Sequence, residues 1–162
     1  MKNEQEAIKK LKELVGEVQT AMLCTRDGDH IHSRPMATAQ IDDNGDLWFF
    51  NNEFSGKTDQ IEAEPHVCLC YSHPGKNTYV CVMGEAEVIN NRSKMEELWN
   101  PILKAWFPEG LDDPKISLLR VSPFEAEYWD ASSSKMVNFF KMAAAAITGG
   151  KADVGEHGKL AL

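Results

Sequence analysis

Residues 46–59 read Asp46-Leu47-Trp48-Phe49-Phe50-Asn51-Asn52-Glu53-Phe54-Ser55-Gly56-Lys57-Thr58-Asp59, and the abrupt change of polarity within them organises the reading of the whole chain. Leu47 to Phe50 is a short apolar run behind an Asp43-Asn44-Gly45 turn. Aromatic residues in a run of that length favour a buried strand over a helix. Asn51 and Asn52 end the strand. Ser55 then stands where an N-cap belongs, opening a short helix that Pro65 closes, because the residue before a proline resists helical geometry. The expectation is strand, turn, helix N-terminus.

At a helix N-terminus the first backbone N–H groups have no intrahelical partner and the helix dipole adds partial positive charge, so a phosphate or carboxylate is favoured there. Ser55, Lys57 and Thr58 bring two hydroxyls and an ammonium to the first turn. Gly56-Lys57-Thr58 also reads as the closing half of an ATP-binding P-loop, but that motif needs a glycine five positions before Gly56, where this chain has Asn51. The nucleotidase reading fails on that residue. Two readings of the stretch remain open at this point: an anion site, or an ordinary capped helix with a solvated lysine.

The 162 residues suit one domain, spanning 1–162, with a core of ordinary size. A net charge of -8 and a pI near 5.1 argue against nucleic acid as the main partner, since such binding begins with a basic footprint. No apolar run approaches the ~20 residues of a membrane span. The amino terminus opens a charged helix, not a signal peptide. A cytoplasmic protein without membrane or nucleic-acid partners is expected. Cys24, Cys68, Cys70 and Cys81 fall within expected strands and read as small apolar core filler kept reduced. Cys68-x-Cys70 alone is too little for zinc, so no metal is expected.

In chain order, Ile8, Leu11, Leu14, Val15 and Val18 recur at helical spacing. Residues 20–26 and the segment from His30 to Ile41 read as a hairpin turned by Asp27-Gly28-Asp29. Pro35 within its second strand belongs at an edge or bulge, and neighbouring Arg34 can aim a guanidinium fork at phosphate. His30 and His32 share a face and read as exposed. Val67 to Tyr71 and Thr78 to Ile89 are further strands, with Gly84 marking a close backbone approach or a barrel bend. Asn91 caps an expected helix through Trp106, kinked at Pro101, whose apolar load suggests cover by a second protomer. Ile116 to Trp129 is a last strand interrupted by Pro123. A helix is expected from Ser132–Ser134 to Ile147, and 151–162 as a loose tail.

Several stretches in this order resemble the pyridoxamine 5'-phosphate oxidase-like flavoproteins, and in particular their general stress protein 26 branch. They are Ser33-Arg34-Pro35-Met36, Leu47-Trp48-Phe49-Phe50-Asn51, Ser55-Gly56-Lys57, Glu97 to Pro101, Lys104 to Pro108, and Glu127-Tyr128-Trp129-Asp130. The resemblance covers nearly the whole chain. It implies a mainly β fold, a β-barrel with flanking helices known as the FMN-binding split barrel, and a homodimer holding FMN, with FAD as the other candidate, at its interface. By position it implies that Arg34, Ser55 and Lys57 meet the flavin phosphate, with Thr58 beside them. Met36, Ala37 and Thr38 would lie against the isoalloxazine, Phe50 and Asn51 would contact the flavin, and Trp129 would approach it from the partner subunit.

The chain departs from the oxidases at the flavin phosphate, at the end of their first flavin motif and where their substrate is gripped. Gly56 replaces an arginine, Ala39 replaces a lysine, and Lys135-Met136-Val137-Asn138-Phe139 stands near the oxidases' Arg-Leu-His-Asp-Arg. The resemblance thus implies a flavoprotein of the stress-protein type, a candidate flavin-dependent oxidoreductase with an unidentified small-molecule redox partner. Pyridoxamine 5'-phosphate oxidation is the alternative these losses disfavour, and a non-catalytic flavin-binding or storage protein is a third. No catalytic acid or base stands out.

Overall fold

The computed structural model describes residues 2–130 and 156–162. Seven strands run β1 (Thr20–Asp27), β2 (His30–Ile41), β3 (Leu47–Asn52), β4 (His66–His73), β5 (Thr78–Ile89), β6 (Ile116–Asp130) and β7 (Glu156–Ala161), with helices α1 (Lys2–Val15), α2 (Gly56–Ala63) and α3 (Arg92–Leu98). Every pairing is antiparallel, in the order β3-β2-β1-β4-β5-β6-β7. A further pairing of β3 with β6, from Leu47↔Val121 to Asn52↔Ile116, closes the first six strands into a ring. Closure removes most exposed strand edges.

Alternation places Ala21, Leu23, Val67, Leu69, Tyr71, Val80, Val82, Leu119, Val121 and Ala126 inside the ring, where Leu11, Leu14 and Val15 of α1 join them. The amphipathic first helix is therefore a packing element, as its spacing predicts. Gly45, at φ 89°, lets the β2–β3 turn pass close to Ile8 of that helix. Gly84 is needed for space: a Cβ there would lie 2.6 Å from the Ser122 carbonyl oxygen, beside the register shift where Gly84 meets Pro123. At this bend β6 changes its neighbour, pairing with β3 before it and β7 after it. Pro35 pairs only with Met22 of β1, because pairing of β2 with β3 begins at Thr38. It sits on a locally free edge, where a missing donor is tolerated.

Three expectations need correction. Pro101 does not kink one long helix: α3 is capped by the Asn91 side chain, which accepts from Lys94 N at 3.0 Å, and ends at Leu98. Trp99 leaves the helix at ψ 134°, and Pro101–Ala105 is a separate 3-10 segment. Proline disfavours the α conformation before it and has no N–H to continue the ladder. Most of that region's apolar load is absorbed by a second small core, in which Met95, Leu98, Trp99, Leu103 and Phe107 pack with Trp48, Ile116 and Leu118. Ile102 and Trp106 stay exposed. Glu156–Ala161 is a strand paired with β6 from Glu125 to Asp130, not part of a loose tail; Gly158 lets the strand pass over the Tyr128 ring. The cysteines are half-buried on the outer face of the barrel instead of filling its core. The helix expected from Ser132–Ser134 to Ile147 lies outside the described residues.

Candidate functional site

Ser55 precedes α2 in an extended conformation, as an N-cap should, but its side chain makes no capping hydrogen bond. Among the described residues its Oγ makes one long contact, 3.5 Å to Thr58 Oγ1. Two positions on, Lys57 folds back across β2 until its ammonium rests 3.6 Å from Met36 Sδ, a weak acceptor. Arg34, on the same face of β2 as Met36, is held by neutral groups: Nη1 donates to Thr25 Oγ1 at 2.6 Å and Nη2 to Gln60 Oε1 at 3.0 Å. Thr25 Oγ1 in turn donates to Gln60 Oε1 at 2.7 Å.

Two cations thus converge on the start of α2, and among the described residues no carboxylate pairs with either. Burial, and then the nearby Arg34 charge, press the Lys57 pKa from 10.5 down to about 8. Arginine keeps its charge in proteins. Unpaired, partly buried cations are costly unless a counter-charge completes them. The arrangement fits a phosphate dianion at a helix start, where the dipole adds positive charge. A Cβ at Gly56 would meet nothing within 4 Å, so glycine at that position is not imposed by packing.

The other residues marked in the sequence divide into support and separate groups. Thr58 is buried and donates to Asn52 O at 3.2 Å. Asn51, 1% exposed, donates through Nδ2 to Thr58 Oγ1 at 3.2 Å and Ser117 Oγ at 3.0 Å. These two tie the helix start to β3 and β6, and Asn51 Oδ1 is buried with no hydrogen-bond partner among the described residues. Thr38 is fixed by a 2.7 Å hydrogen bond to the Tyr71 hydroxyl, whose pKa burial pushes up to about 12. Ala37 is exposed on the outer face of β2. The Phe50 ring is occupied in the second core, 6.0 Å from Trp99 and 6.5 Å from Phe107. Trp129 is not brought to the others within one chain. It lies on the half of β6 paired with β5 and β7, 41% exposed, stacked at 5.1 Å on His157, whose ring nitrogen is 2.9 Å from Glu127.

A cavity of about 520 Å³ opens beside this site, between the β1–β2 turn and the outer side of α2. Asp27, Asp59 and Glu64 line it against the single cation Arg26, so its electrostatics disfavour phosphate, and the candidate anion site is the Arg34–Lys57 side. Sequence reading missed Thr25 and Gln60, which orient Arg34. The available signal was Thr25 at an inward position of an otherwise apolar strand and Gln60 three residues after Lys57, on the same helix face.

Comparison with known proteins agrees with this architecture. A model of the family described as pyridoxamine 5'-phosphate oxidase like matches residues 6–153. Protein bli-3 of Neurospora crassa is 30% identical over 145 residues, covering 83% of this chain and 69% of that protein. General stress protein 26 of Bacillus subtilis is 26% identical over 139 residues, covering 84% and 97%. Among solved structures, the general stress FMN/FAD binding protein from Xanthomonas citri matches with a TM-score of 0.69 at 28% identity, over 83% of this chain and 93% of that one. The ring of antiparallel strands is a split barrel, and the chain belongs to the pyridoxamine 5'-phosphate oxidase-like family, with general stress protein 26 among its relatives.

Proposed function

We propose that this protein is an FMN-binding flavoprotein of the general stress protein 26 type, acting as a homodimer in the cytoplasm. The observation that carries the reading is the pair Arg34 and Lys57, converging on the start of α2 with no carboxylate among the described residues paired to either, beside a Ser55 hydroxyl that makes no capping hydrogen bond. A flavin 5'-phosphate is the dianion that would satisfy it, and its charge would raise the depressed Lys57 pKa. Bound flavin supplies the redox chemistry; the chain binds, orients and shields it. FMN is preferred over FAD because the cation pair suits a terminal dianion, whereas the adjoining cavity that a longer ligand would enter is lined by carboxylates.

The homodimer reading draws on the position of Trp129, exposed and remote from the phosphate site of its own chain, and on exposed Met22, Tyr79, Ile102 and Trp106. Four free thiols suit a reducing compartment. An oxidoreductase with a small-molecule partner is favoured over pyridoxamine 5'-phosphate oxidation, since the sequence Lys135 to Phe139 lacks the arginine and histidine groups with which the oxidases grip their substrate. The test is the visible spectrum of the purified protein, with the released cofactor identified by mass. Bound oxidised FMN is expected. A colourless protein that also fails to bind added FMN would refute the reading.

A further inference from the structure

On the outer face of the barrel, three adjacent strands each present two sulfur-bearing side chains. The antiparallel register sets Met22 of β1 opposite Cys70 of β4, and Cys70 opposite Cys81 of β5. One row along, Cys24 stands opposite Cys68, and Cys68 opposite Met83. Residues two apart in a strand share a face, so the six sulfurs form a two-by-three patch. Leu23, Thr25 and Arg34 lie on the other face of the same sheet, so the patch is separate from the site at α2.

Within it, Cys70 Sγ is 3.8 Å from Cys68 Sγ and 3.8 Å from Cys81 Sγ, and all three lie within 4.8 Å of one another. Each is half-buried and not bonded to another cysteine. Cys24 stands apart, its Sγ 3.1 Å from Ser33 Oγ. With a metal–thiolate bond of about 2.3 Å, as for zinc, a trigonal ion needs its sulfurs about 4 Å apart. The three thiols approach that triangle without rearrangement of the strands.

We propose that Cys68, Cys70 and Cys81 form a three-thiolate site for one Cu(I) ion per chain. The choice of ion follows from the donors. Among the described residues, no imidazole or carboxylate belongs to the group to complete the tetrahedron zinc prefers. Beyond the thiols, the neighbours in register are the thioethers of Met22 and Met83 and the carboxylate of Glu127 opposite Cys81, which is already engaged by His157 at 2.9 Å; soft thiolate and thioether ligands select Cu(I). On binding, each thiol releases its proton to solvent and its sulfur forms one bond to copper; no electron changes hands.

The test is an anaerobic titration of the reduced full-length protein with Cu(I) held by a coloured chelator such as bicinchoninate. One ion per chain should move to the protein. Cys70→Ser should weaken binding by more than the roughly 10- to 100-fold typical of losing a supporting contact at a metal site, while Cys24→Ser should leave it unchanged. X-ray absorption on the copper-loaded wild type should show three sulfurs around copper, a readout independent of how the variants fold. Failure to draw copper from the chelator, equal binding by Cys70→Ser, two sulfurs instead of three, or displacement of Cu(I) by an equal amount of Zn2+ would each overturn the proposal.

Discussion

Replacing Lys57 with methionine should move ligand affinity and ligand-free stability in opposite directions. The substitution keeps the stem that packs toward Met36 and removes the ammonium. In the free protein that ammonium is under strain, its pKa pressed from 10.5 to about 8 by burial and by Arg34. A displacement of that size corresponds to at most about 3 kcal/mol, and partial solvent exposure at this half-buried position reduces it to about 1–2 kcal/mol. Because the folded pKa lies below the unfolded one, the unfolded chain binds more protons between pH 8 and 10.5, and wild-type stability should rise with pH across that window. Lys57→Met should abolish the rise and should stabilise the free protein at pH 7 by about 1 kcal/mol, read by urea unfolding. FMN binding should weaken, because a charge-assisted contact is worth about 1.5–3 kcal/mol, roughly ten- to 150-fold in Kd. Wild-type affinity for FMN should also fall as pH rises through about 8, where the free lysine loses its proton. Riboflavin, lacking the phosphate, should show neither the loss nor the pH dependence. Fluorescence quenching titrations of both proteins with both flavins decide the matter, and equal FMN affinity in wild type and Lys57→Met would refute the assignment of the phosphate.

Gly56→Arg places a cation at an open position beside the same phosphate, and should tighten FMN binding about two- to fivefold without affecting riboflavin, in the same titration. Asn51→Ala removes the amide linking Thr58 to Ser117 and should cost about 1–3 kcal/mol in urea unfolding. Gly84→Ala drives a Cβ toward the Ser122 carbonyl at 2.6 Å and should destabilise by about 1–3 kcal/mol; an unchanged urea midpoint would contradict the close approach. Trp129→Ala should weaken FMN and riboflavin alike, because its proposed contact is made across a dimer. Sedimentation at micromolar concentration should show that dimer in both proteins, and a wild-type monomer that still binds flavin would remove the interface from the account.

The barrel was legible from local chemistry to the extent that periodicity and turn residues specify it. The alternation of Thr78–Ile89, the proline and glycine at bends, and the serine before α2 all appear where those rules place them. Closure was not legible, since the pairing of β3 with the first half of β6 joins residues some 70 positions apart, Leu47 with Val121, and no local signal encodes it. The strand at Glu156–Ala161 was missed for a related reason: its polar residues alternate weakly, and its place depends on the edge β6 frees after Pro123. At the site, Arg34, Ser55 and Lys57 could be named from charge and helix-terminus geometry. That Asn51 and Thr58 face each other as internal supports, and that Phe50 turns into a second core, follows only from packing. The cysteines show the same limit, since period-two spacing puts Cys68 and Cys70 on one face without saying which face is buried.

A crystal structure of the protein grown with FMN tests the central claim most directly. The account predicts the flavin phosphate at the start of α2, within hydrogen-bond distance of Ser55 Oγ, Lys57 Nζ and the Arg34 guanidinium. A bound flavin whose phosphate lies in the cavity lined by Asp27, Asp59 and Glu64, or away from α2 altogether, would contradict it.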